Sequence, residues 1–254
     1  MFAPLPAPAE MSGWDRAAID LGLPELLLME NASREAMHAL AAETGPVRGK
    51  RVLLFMGGGN NGGDAACLAR HLHDGGAEVL VLHTRPLGAC RGVTGQHVRL
   101  ARRCGVPFAP AAGWPEKYRN TPWDVYADAS GCGRGGPDIV VDGILGTGFS
   151  GSLRPLELGL VGRINALAQR AFLFSLDIPS GLPGLTGRPC PVAVRAHATV
   201  TFEAAKPGLV LPEAAPYTGR LHIRPIGIPA AVRRAHPASY QMITDALAGS
   251  FPEA

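Results

Sequence analysis

The stretch RVLLFMGGGNNGGDAACLARHL (residues 51–72) runs from a short apolar segment through a glycine-rich loop into an amphipathic segment. The apolar residues 51–56 predict a buried strand. The residues after the loop follow the i, i+3, i+4, i+7 spacing of a helix that ends at a pair of glycines: Ala65, Leu68, Ala69 and Leu72. A strand, a tight loop and a helix in this order indicate the first half of a βαβ unit.

The rest of the chain repeats this alternation. Further strands are predicted at 77–83, 137–142, 171–176, 197–202 and 219–226, and helices at about 25–42, 94–104 and 156–167. This order predicts right-handed βαβ units and a mostly parallel central sheet with helices on both faces. No repeat or linker divides the chain, so we expect one domain over residues 1–254, with the Pro/Ala-rich residues 1–10 frayed or loosely packed and 106–136 irregular.

Composition excludes several classes of protein. The net charge of +3 has no accompanying Lys/Arg run, which argues against nucleic-acid binding. No segment approaches the roughly 20 apolar residues of a membrane span, and the first residues do not resemble a signal peptide. The five cysteines are scattered and form no C-x-x-C pair, which favours reduced thiols. We therefore expect a cytoplasmic protein that binds neither membrane nor nucleic acid.

Three loops follow predicted strands and carry unusual residues: GGGNNGGD (57–64), VDGILGTGFSG (141–151) and LDIPSGL (176–182). In an open α/β sheet, ligands bind beyond the carboxyl ends of the strands. The three loops should therefore lie at one edge of the sheet, although they are far apart in sequence. Their Asn, Asp, Thr and Ser side chains would supply the few convergent polar groups of a small-molecule site.

The first loop imitates a dinucleotide-binding fingerprint, because Gly57, Gly59 and Gly62 match G-x-G-x-x-G. That motif also requires an acidic residue near the end of the next strand, where the chain has His83 and Thr84. Asp64 is expected in the first helical turn, where it would suit the helix dipole but repel a phosphate. We therefore reject the usual meaning of the motif, and expect the loop to offer amide N–H groups and Asn side chains to neutral polar groups or a cation, with the glycines letting the backbone approach the ligand.

Each polar residue also has a purely structural interpretation. Asn60 and Asn61 suit a turn, Asp64 a helix start, Asp142 a strand end and Ser180 a helix cap. Asp177 is harder to explain structurally, because partial burial at a sheet edge would raise its pKa toward catalytic use.

Other residues are assigned to structure. Lys206 is interpreted as a solvated turn residue before Pro207, slightly ahead of a role in ligand binding, and His71 and His73 as surface residues without a metal signature. The three tryptophans are assigned to packing.

The quoted blocks, together with LLLMENAS, ATVTFEAAKPGL and GRLHIRPIGIP, resemble the YjeF N-terminal domain family over about residues 10–230. The best-understood members of that family are NAD(P)H-hydrate epimerases. The resemblance implies a Rossmann-like three-layer α/β/α sandwich, often a homodimer. It also implies interconversion of the R and S epimers of NADH or NADPH hydrated at C6 of the nicotinamide ring. A dehydratase specific for one epimer would be the pathway partner, and we expect it to be a separate protein, because 254 residues leave no room for that domain.

The resemblance also assigns residues by motif position. For the chemistry, our own hypothesis makes Asp177 the acid/base that protonates the leaving hydroxyl, stabilises the cationic ring and activates water, with Asp64 as second candidate. A potassium ion would be held by Asn61, Asp142 and Ser180. The substrate would contact Asn60, Asn61, Gly62, Gly63, Asp64, Gly146, Thr147, Gly148, Phe149, Ser150, Gly151, Ser152 and Asp177.

The chain departs from the family pattern at two places. Ala65 stands where most relatives have Gly, which would narrow the pocket, and PGLTG (183–187) lacks the acidic residue usual after DIPSGL. The alternative to an epimerase is a non-catalytic nucleotide-binding or scaffolding module of the same fold. A nicotinamide-dependent oxidoreductase is disfavoured by the missing ribose carboxylate.

Overall fold

The computed structural model describes residues 2–119, 121, 123–124 and 135–243. The strands are β1 (Phe2–Leu5), β2 (Arg51–Met56), β3 (Glu78–His83), β4 (Phe108–Pro110), β5 (Ile139–Gly143), β6 (Phe172–Leu176), β7 (Ala198–Phe202), β8 (Arg220–Arg224) and β9 (Tyr240–Ile243). The helices are α1 (Pro8–Asp20), α2 (Glu25–Thr44), α3 (Asn60–Asp74), α4 (Gly92–Arg103), α5 (Pro155–Leu167) and the short α6 (Pro207–Val210), α7 (Ala215–Thr218) and α8 (Ala230–Ala235).

Seven strands form one sheet in the order β4-β3-β2-β5-β6-β7-β8, and every neighbouring pair is parallel. The side chains of β2 alternate between two apolar layers, with Val52, Leu54 and Met56 on one face and Leu53 and Phe55 on the other. The first face packs against α1 to α4, and the second against α5. The predicted α/β sandwich, with helices on both faces of a parallel sheet, is confirmed.

The expectation for residues 1–10 is wrong for the residues that the structure describes. Strand β1 pairs antiparallel with β9 and aligns Leu5 with Tyr240, and α1 begins at Pro8. A glutamate of α1 supports this arrangement, because the Glu10 carboxylate accepts the backbone N–H groups of Ala7 and Ser239. The two ends of the described chain are thereby joined in a small ribbon that the sequence pattern did not predict.

The sheet has a topological switch between β2 and β5. From β2 the chain continues through β3 to β4 on one side, whereas β5 to β8 extend on the other side. At the carboxyl ends of β2 and β5, the two loops therefore run in opposite directions, and open α/β sheets bind ligands at such a point. The fold thus places the residues after 56 and after 143 on the two sides of one crevice.

Two further expectations concern cysteines and membrane spans. Cys67, Cys90, Cys104 and Cys190 carry free thiols, as predicted, while Cys132 lies outside the described residues. Within the described ranges, none of the helices combines the length and apolar character needed to cross a membrane.

Candidate active site

A cleft of about 820 Å³ opens at the carboxyl edge of the sheet. The loops after β2, β5 and β6 line it, together with residues of α1 and α2 and the segment after β3. Of the predicted substrate-binding residues, the ones that line the cleft are Asn60, Asn61, Asp64, Gly146, Thr147, Gly148, Phe149, Ser150, Ser152 and Asp177. The other three, Gly62, Gly63 and Gly151, are not among the lining residues.

Three glycines of the first loop are required by packing. A Cβ atom at Gly57 would lie 1.9 Å from the carbonyl oxygen of Ile144, and one at Gly62 would lie 2.1 Å from the carbonyl oxygen of Gly57. At Gly63, a Cβ atom would collide with the Sδ atom of Met29 at 2.6 Å. Close approach to the protein's own backbone and side chains therefore excludes larger residues at these three positions. Gly58 and Gly59 line the cleft instead, and a Cβ atom at Gly59 would meet no atom within 4 Å, so for these two the expected approach to a ligand stays a prediction.

Ala65 also has a different role from the one expected. Its side chain is fully buried and lies against Gly143, where an added Cβ atom would come within 2.6 Å of the Ala65 Cβ. Since Ala65 does not line the cleft, its substitution for glycine does not narrow the pocket.

Asp177 lies directly after β6 with a φ of 61°, in the left-handed region that only a few non-glycine residues adopt. Its Oδ2 atom accepts the backbone N–H of Thr147 at 2.7 Å and the Thr147 hydroxyl. Its Oδ1 atom is 2.7 Å from Nζ of Lys206. Strained backbone at a cleft, held by such contacts, is typical of functional sites.

The pKa of Asp177 is shifted opposite to our expectation. Burial acts to raise it, but the positive charge of Lys206 and the hydrogen bonds from Lys206 and Thr147 outweigh burial, so the pKa lies below its usual range. The carboxyl group is therefore ionised at neutral pH. The expected rise was wrong because the sequence did not reveal a cation beside it.

That cation is Lys206, which the sequence assigned to solvent. Its side chain is only 1% exposed, and its ammonium group donates to Asp177, to the Thr201 hydroxyl at 2.9 Å and to the Phe202 carbonyl at 3.2 Å. The interpretation as a solvated turn residue is wrong because the ion pair and these two oxygens replace water. The signal that could have found it is its place just after β7, at the same edge as the other loops.

Asp64 lies in the second turn of α3, because the helix begins at Asn60 rather than after the glycines. The expected placement in the first turn is wrong, since both Gly62 and Gly63 are helical. Burial and then the negative charge of Asp177 raise the pKa of Asp64 well above its usual range. The two carboxyl groups therefore have opposite pKa shifts, so that Asp64 retains its proton while Asp177 loses its own.

Another carboxyl group in the cleft was not predicted from the sequence. Asp15, on α1, lines the cleft. Burial raises its pKa to about 6, the negative charge of Asp177 adds to the rise and Lys206 opposes it. Nothing in the sequence pattern connects α1 to residues more than a hundred positions away, so only the fold reveals this neighbour.

Of the residues predicted to hold a potassium ion, Asp142 and Ser180 are hydrogen-bonded to each other, and Asn61 is linked to Ser180 through the backbone of Leu145. Asp142 accepts the Ser180 hydroxyl at 2.6 Å and the Ser180 backbone N–H at 2.8 Å, and the Ser175 hydroxyl at 3.0 Å. Asn61 donates to the Leu145 carbonyl at 2.7 Å, while its Oδ1 atom is buried without a hydrogen-bond partner. Burial raises the pKa of Asp142, and hydrogen bonds from Ser180 oppose the rise. The Oδ1 atom of Asn61 is therefore a buried oxygen that is free to accept, and amide, carboxyl and hydroxyl oxygens are the ligand types that suit a hard cation.

A second group of ligand-type atoms lies between α2 and α3, where Glu30, Cys67 and His71 approach one another within 4.8 Å. The guanidinium group of Arg70 lies among these atoms. Its Nη2 atom is 2.6 Å from the Glu30 carboxylate and 3.2 Å from the His71 Nε2 atom. His71 is therefore half-buried and paired with Glu30 at 2.9 Å, which corrects its assignment to the surface. An internal cation already balances this group.

The chain is similar to known proteins along most of its length. The family model described as YjeF-related protein N-terminus matches residues 25–208, a range that includes Asn61, Asp64, Asp142, Asp177, Ser180 and Lys206 but not Asp15. The chain belongs to this family. It is 36% identical over 213 residues to the NAD(P)H-hydrate epimerase of Rhodopirellula baltica, which covers 84% of this chain and 79% of that protein.

Other YjeF-related proteins are similar along most of the chain. The NAD(P)H-hydrate epimerase of Nitrosopumilus maritimus is 33% identical over 83% of this chain and 89% of its own length. The bifunctional NAD(P)H-hydrate repair enzyme Nnr of Moorella thermoacetica is 35% identical over 87% of this chain, which spans only 40% of that enzyme. The crystal structure of the yeast protein YNL200c matches with a TM-score of 0.71 at 20% identity, covering 93% of this chain and 96% of the yeast chain, which supports the fold.

Proposed function

We propose that this chain is an NAD(P)H-hydrate epimerase that interconverts the R and S epimers of C6-hydrated NADH or NADPH. The observation that carries the proposal is the pair of carboxyl groups, Asp64 and Asp177, with opposed pKa shifts in a cleft of about 820 Å³. Titratable groups whose environments separate their pKa values mark acid and base roles. The names of the similar epimerases support the choice of substrate.

The chemistry needs one proton and a stabilised cation. The protonated carboxyl of Asp64 donates its proton to the C6 hydroxyl, which leaves as water as the ring nitrogen's lone pair forms a planar iminium ion. The ionised carboxylate of Asp177 stabilises that positive charge. Addition of water to the opposite face returns the proton to the pair of carboxyl groups, so the protein is unchanged after one cycle. Asp177 therefore acts mainly as a carboxylate, and the acid role passes to Asp64.

Positioning in this proposal depends on Thr147 and Lys206. The Thr147 backbone N–H and hydroxyl hold one carboxylate oxygen of Asp177, and Lys206 holds the other. Both contacts fix the rotamer and keep the group ionised. A carboxylate fixed in this way needs little reorganisation when positive charge develops in front of it.

The potassium proposal rests on the oxygens of Asn61, Asp142 and Ser180. A potassium ion there would offset the negative charge of Asp142 and hold the loops after β2, β5 and β6 together. Support comes from the unpartnered Oδ1 atom of Asn61, since a buried amide oxygen without a partner costs about 1–3 kcal/mol.

The biological setting follows from the chemistry. An epimerase makes both hydrates available to a dehydratase that acts on one of them, so an NAD(P)H-hydrate dehydratase is the proposed pathway partner. The bifunctional NAD(P)H-hydrate repair enzymes among the similar proteins support this pairing. A homodimer and a cytoplasmic location remain part of the proposal.

The test is to incubate the purified protein with one isolated hydrate epimer and to follow the other by chromatography. Acceleration over the protein-free rate is expected. An unaccelerated rate with both hydrates, in potassium and in its absence, would overturn the proposal and favour a nucleotide-binding module.

A further inference from the structure

An exposed arginine lies at one end of the cleft, in the segment after β3. Arg85 lines the cleft and follows the last residue of β3, His83, by two positions. The Thr84 backbone N–H donates to the Met56 carbonyl at 2.9 Å, which fixes this segment against the end of β2. The Arg85 Cγ atom lies 3.1 Å from the place where a Cβ of Gly58 would be, so its side chain lies against the glycine loop.

The charges in the cleft leave Arg85 without a partner among the described residues. Two other cations line the cleft, and both are neutralised: Lys206 by Asp177 and Arg154 by Glu157. No carboxylate in the described ranges forms an ion pair with Arg85. A substrate that carries phosphates therefore meets one uncompensated positive side chain here.

The strand order shows which part of a dinucleotide that side chain meets. This step rests on the proposed function, which places the nicotinamide ring at Asp177, directly after β6. Between β6 and β3 lie β5 and β2, so three strand spacings of about 4.8 Å separate the two positions by roughly 14 Å. The pyrophosphate would then cross the loops after β2 and β5, and the adenosine ribose would reach the end of β3.

In dinucleotide-binding α/β proteins, the end of the second strand of the βαβ unit reads the adenosine ribose. A carboxylate there accepts the 2′-hydroxyl of NADH, whereas an arginine accommodates the 2′-phosphate of NADPH. In the unit β2–α3–β3, this place has His83, Thr84 and Arg85 and no carboxylate. The missing carboxylate argued against the dinucleotide fingerprint. Together with the unpaired arginine, it now indicates a preference for a 2′-phosphate over a 2′-hydroxyl on the adenosine ribose.

We propose that Arg85 binds the 2′-phosphate of the adenosine ribose and makes the site selective for NADPH hydrate over NADH hydrate. A guanidinium group holds a phosphate by two parallel hydrogen bonds, a geometry that lysine does not reproduce. Arg85 is thus a specificity-determining residue at the end of the cleft opposite the carboxyl pair.

The experiment measures kcat/KM for both hydrates with the wild type, Arg85→Ala, Arg85→Lys and Arg91→Ala. Arg91 is the matched control, because it is exposed in the same connection and does not line the cleft. We expect the wild type to prefer NADPH hydrate by about 10- to 100-fold, the range of hydrogen bonds to a charged group. Arg85→Ala should remove that preference by lowering the NADPH-hydrate value alone, Arg85→Lys should restore part of it, and Arg91→Ala should change neither value.

Equal losses for both hydrates in Arg85→Ala would place the guanidinium at the pyrophosphate and overturn the proposal, as would no loss for either. A binding experiment separates this from failure of the epimerase proposal. Calorimetry with adenosine 2′,5′-bisphosphate and 5′-AMP should show tighter binding of the bisphosphate by the wild type and equal binding by Arg85→Ala. Equal affinities in the wild type would refute the subsite even if the protein epimerises both hydrates, and selective binding would support it even if the protein epimerises neither.

Discussion

Replacing Lys206 by methionine removes the buried cation that holds Asp177. The ammonium group is 2.7 Å from the Asp177 carboxylate, and the side chain is 1% exposed, so solvent cannot replace the lost charge. Removing one partner of a buried ion pair costs about 3–5 kcal/mol, because the other charge stays buried without compensation. The two hydrogen bonds from Thr147 remain, so we expect about 3 kcal/mol, measured by urea unfolding followed by circular dichroism.

The loss should depend on pH in a definite direction. In the wild type, the lowered pKa of Asp177 gives a stabilisation that is present above the unfolded value near 3.9 and is lost as the pH falls through the folded value. In Lys206→Met the pKa of Asp177 rises, so ionisation above pH 4 becomes unfavourable. The difference in unfolding free energy between the two proteins should therefore be largest near pH 7 and shrink toward pH 3.

Two further variants make the result specific. Lys117→Met removes an exposed lysine and should change stability by less than about 0.5 kcal/mol. The double variant Asp177→Asn/Lys206→Met should recover at least about 1.5 kcal/mol relative to Lys206→Met, because the uncompensated charge is gone. A cost below about 1 kcal/mol for Lys206→Met, or no recovery in the double variant, would refute the account of Asp177 as a buried, ion-paired carboxylate.

Three other predictions concern packing, titration and cation binding. Gly62→Ala should lower the free energy of unfolding in urea by more than about 2 kcal/mol, because the new Cβ would lie 2.1 Å from a backbone oxygen. Gly159→Ala, which has open space around it in α5, should be neutral or stabilising by up to about 1 kcal/mol. Equal effects of the two substitutions would contradict the packing argument. Asp15→Asn should stabilise the protein by about 1–3 kcal/mol more at pH 8 than at pH 4. The reason is that the raised Asp15 pKa of about 6 makes wild-type stability fall as the pH rises from about 4 to 6. A difference in stability that does not change with pH would contradict the burial of this carboxyl group. Potassium chloride at tenfold excess over Kd should increase the free energy of unfolding by about 1.4 kcal/mol relative to tetramethylammonium chloride of equal ionic strength, measured as a higher Tm. Asn61→Ala should abolish this rise in Tm, and an undiminished rise would remove Asn61 from the site.

The positions at which the parallel strands end were enough to predict much of the cleft's lining. Asp142 lies near the end of β5, Thr147 follows β5 and Asp177 follows β6, and the parallel register alone brings these positions to one edge. The contacts Thr147–Asp177 and Ser180–Asp142 are the side-chain consequence of that register. Pattern reasoning was sufficient here because each residue's position depends only on where its own strand ends.

It was insufficient where a residue's state depends on a distant partner. The pKa direction of Asp177 and the burial of Lys206 determine each other, and neither is visible in its own neighbourhood of the sequence. Asp15 reaches the cleft only because α1 packs over the carboxyl edge. The pairing of β1 with β9 joins segments that no turn connects, and such non-local pairing leaves no local signal.

The central claim is that the cleft epimerises a hydrated nicotinamide through its two carboxyl groups. The most direct measurement is the rate at which one purified hydrate epimer becomes the other, with the wild type, Asp177→Asn and Asp64→Asn. We expect the wild type to accelerate the reaction and both variants to lower kcat at least about 100-fold, within the contribution usual for a positioned acid or base. Wild-type rates in Asp177→Asn would contradict the account.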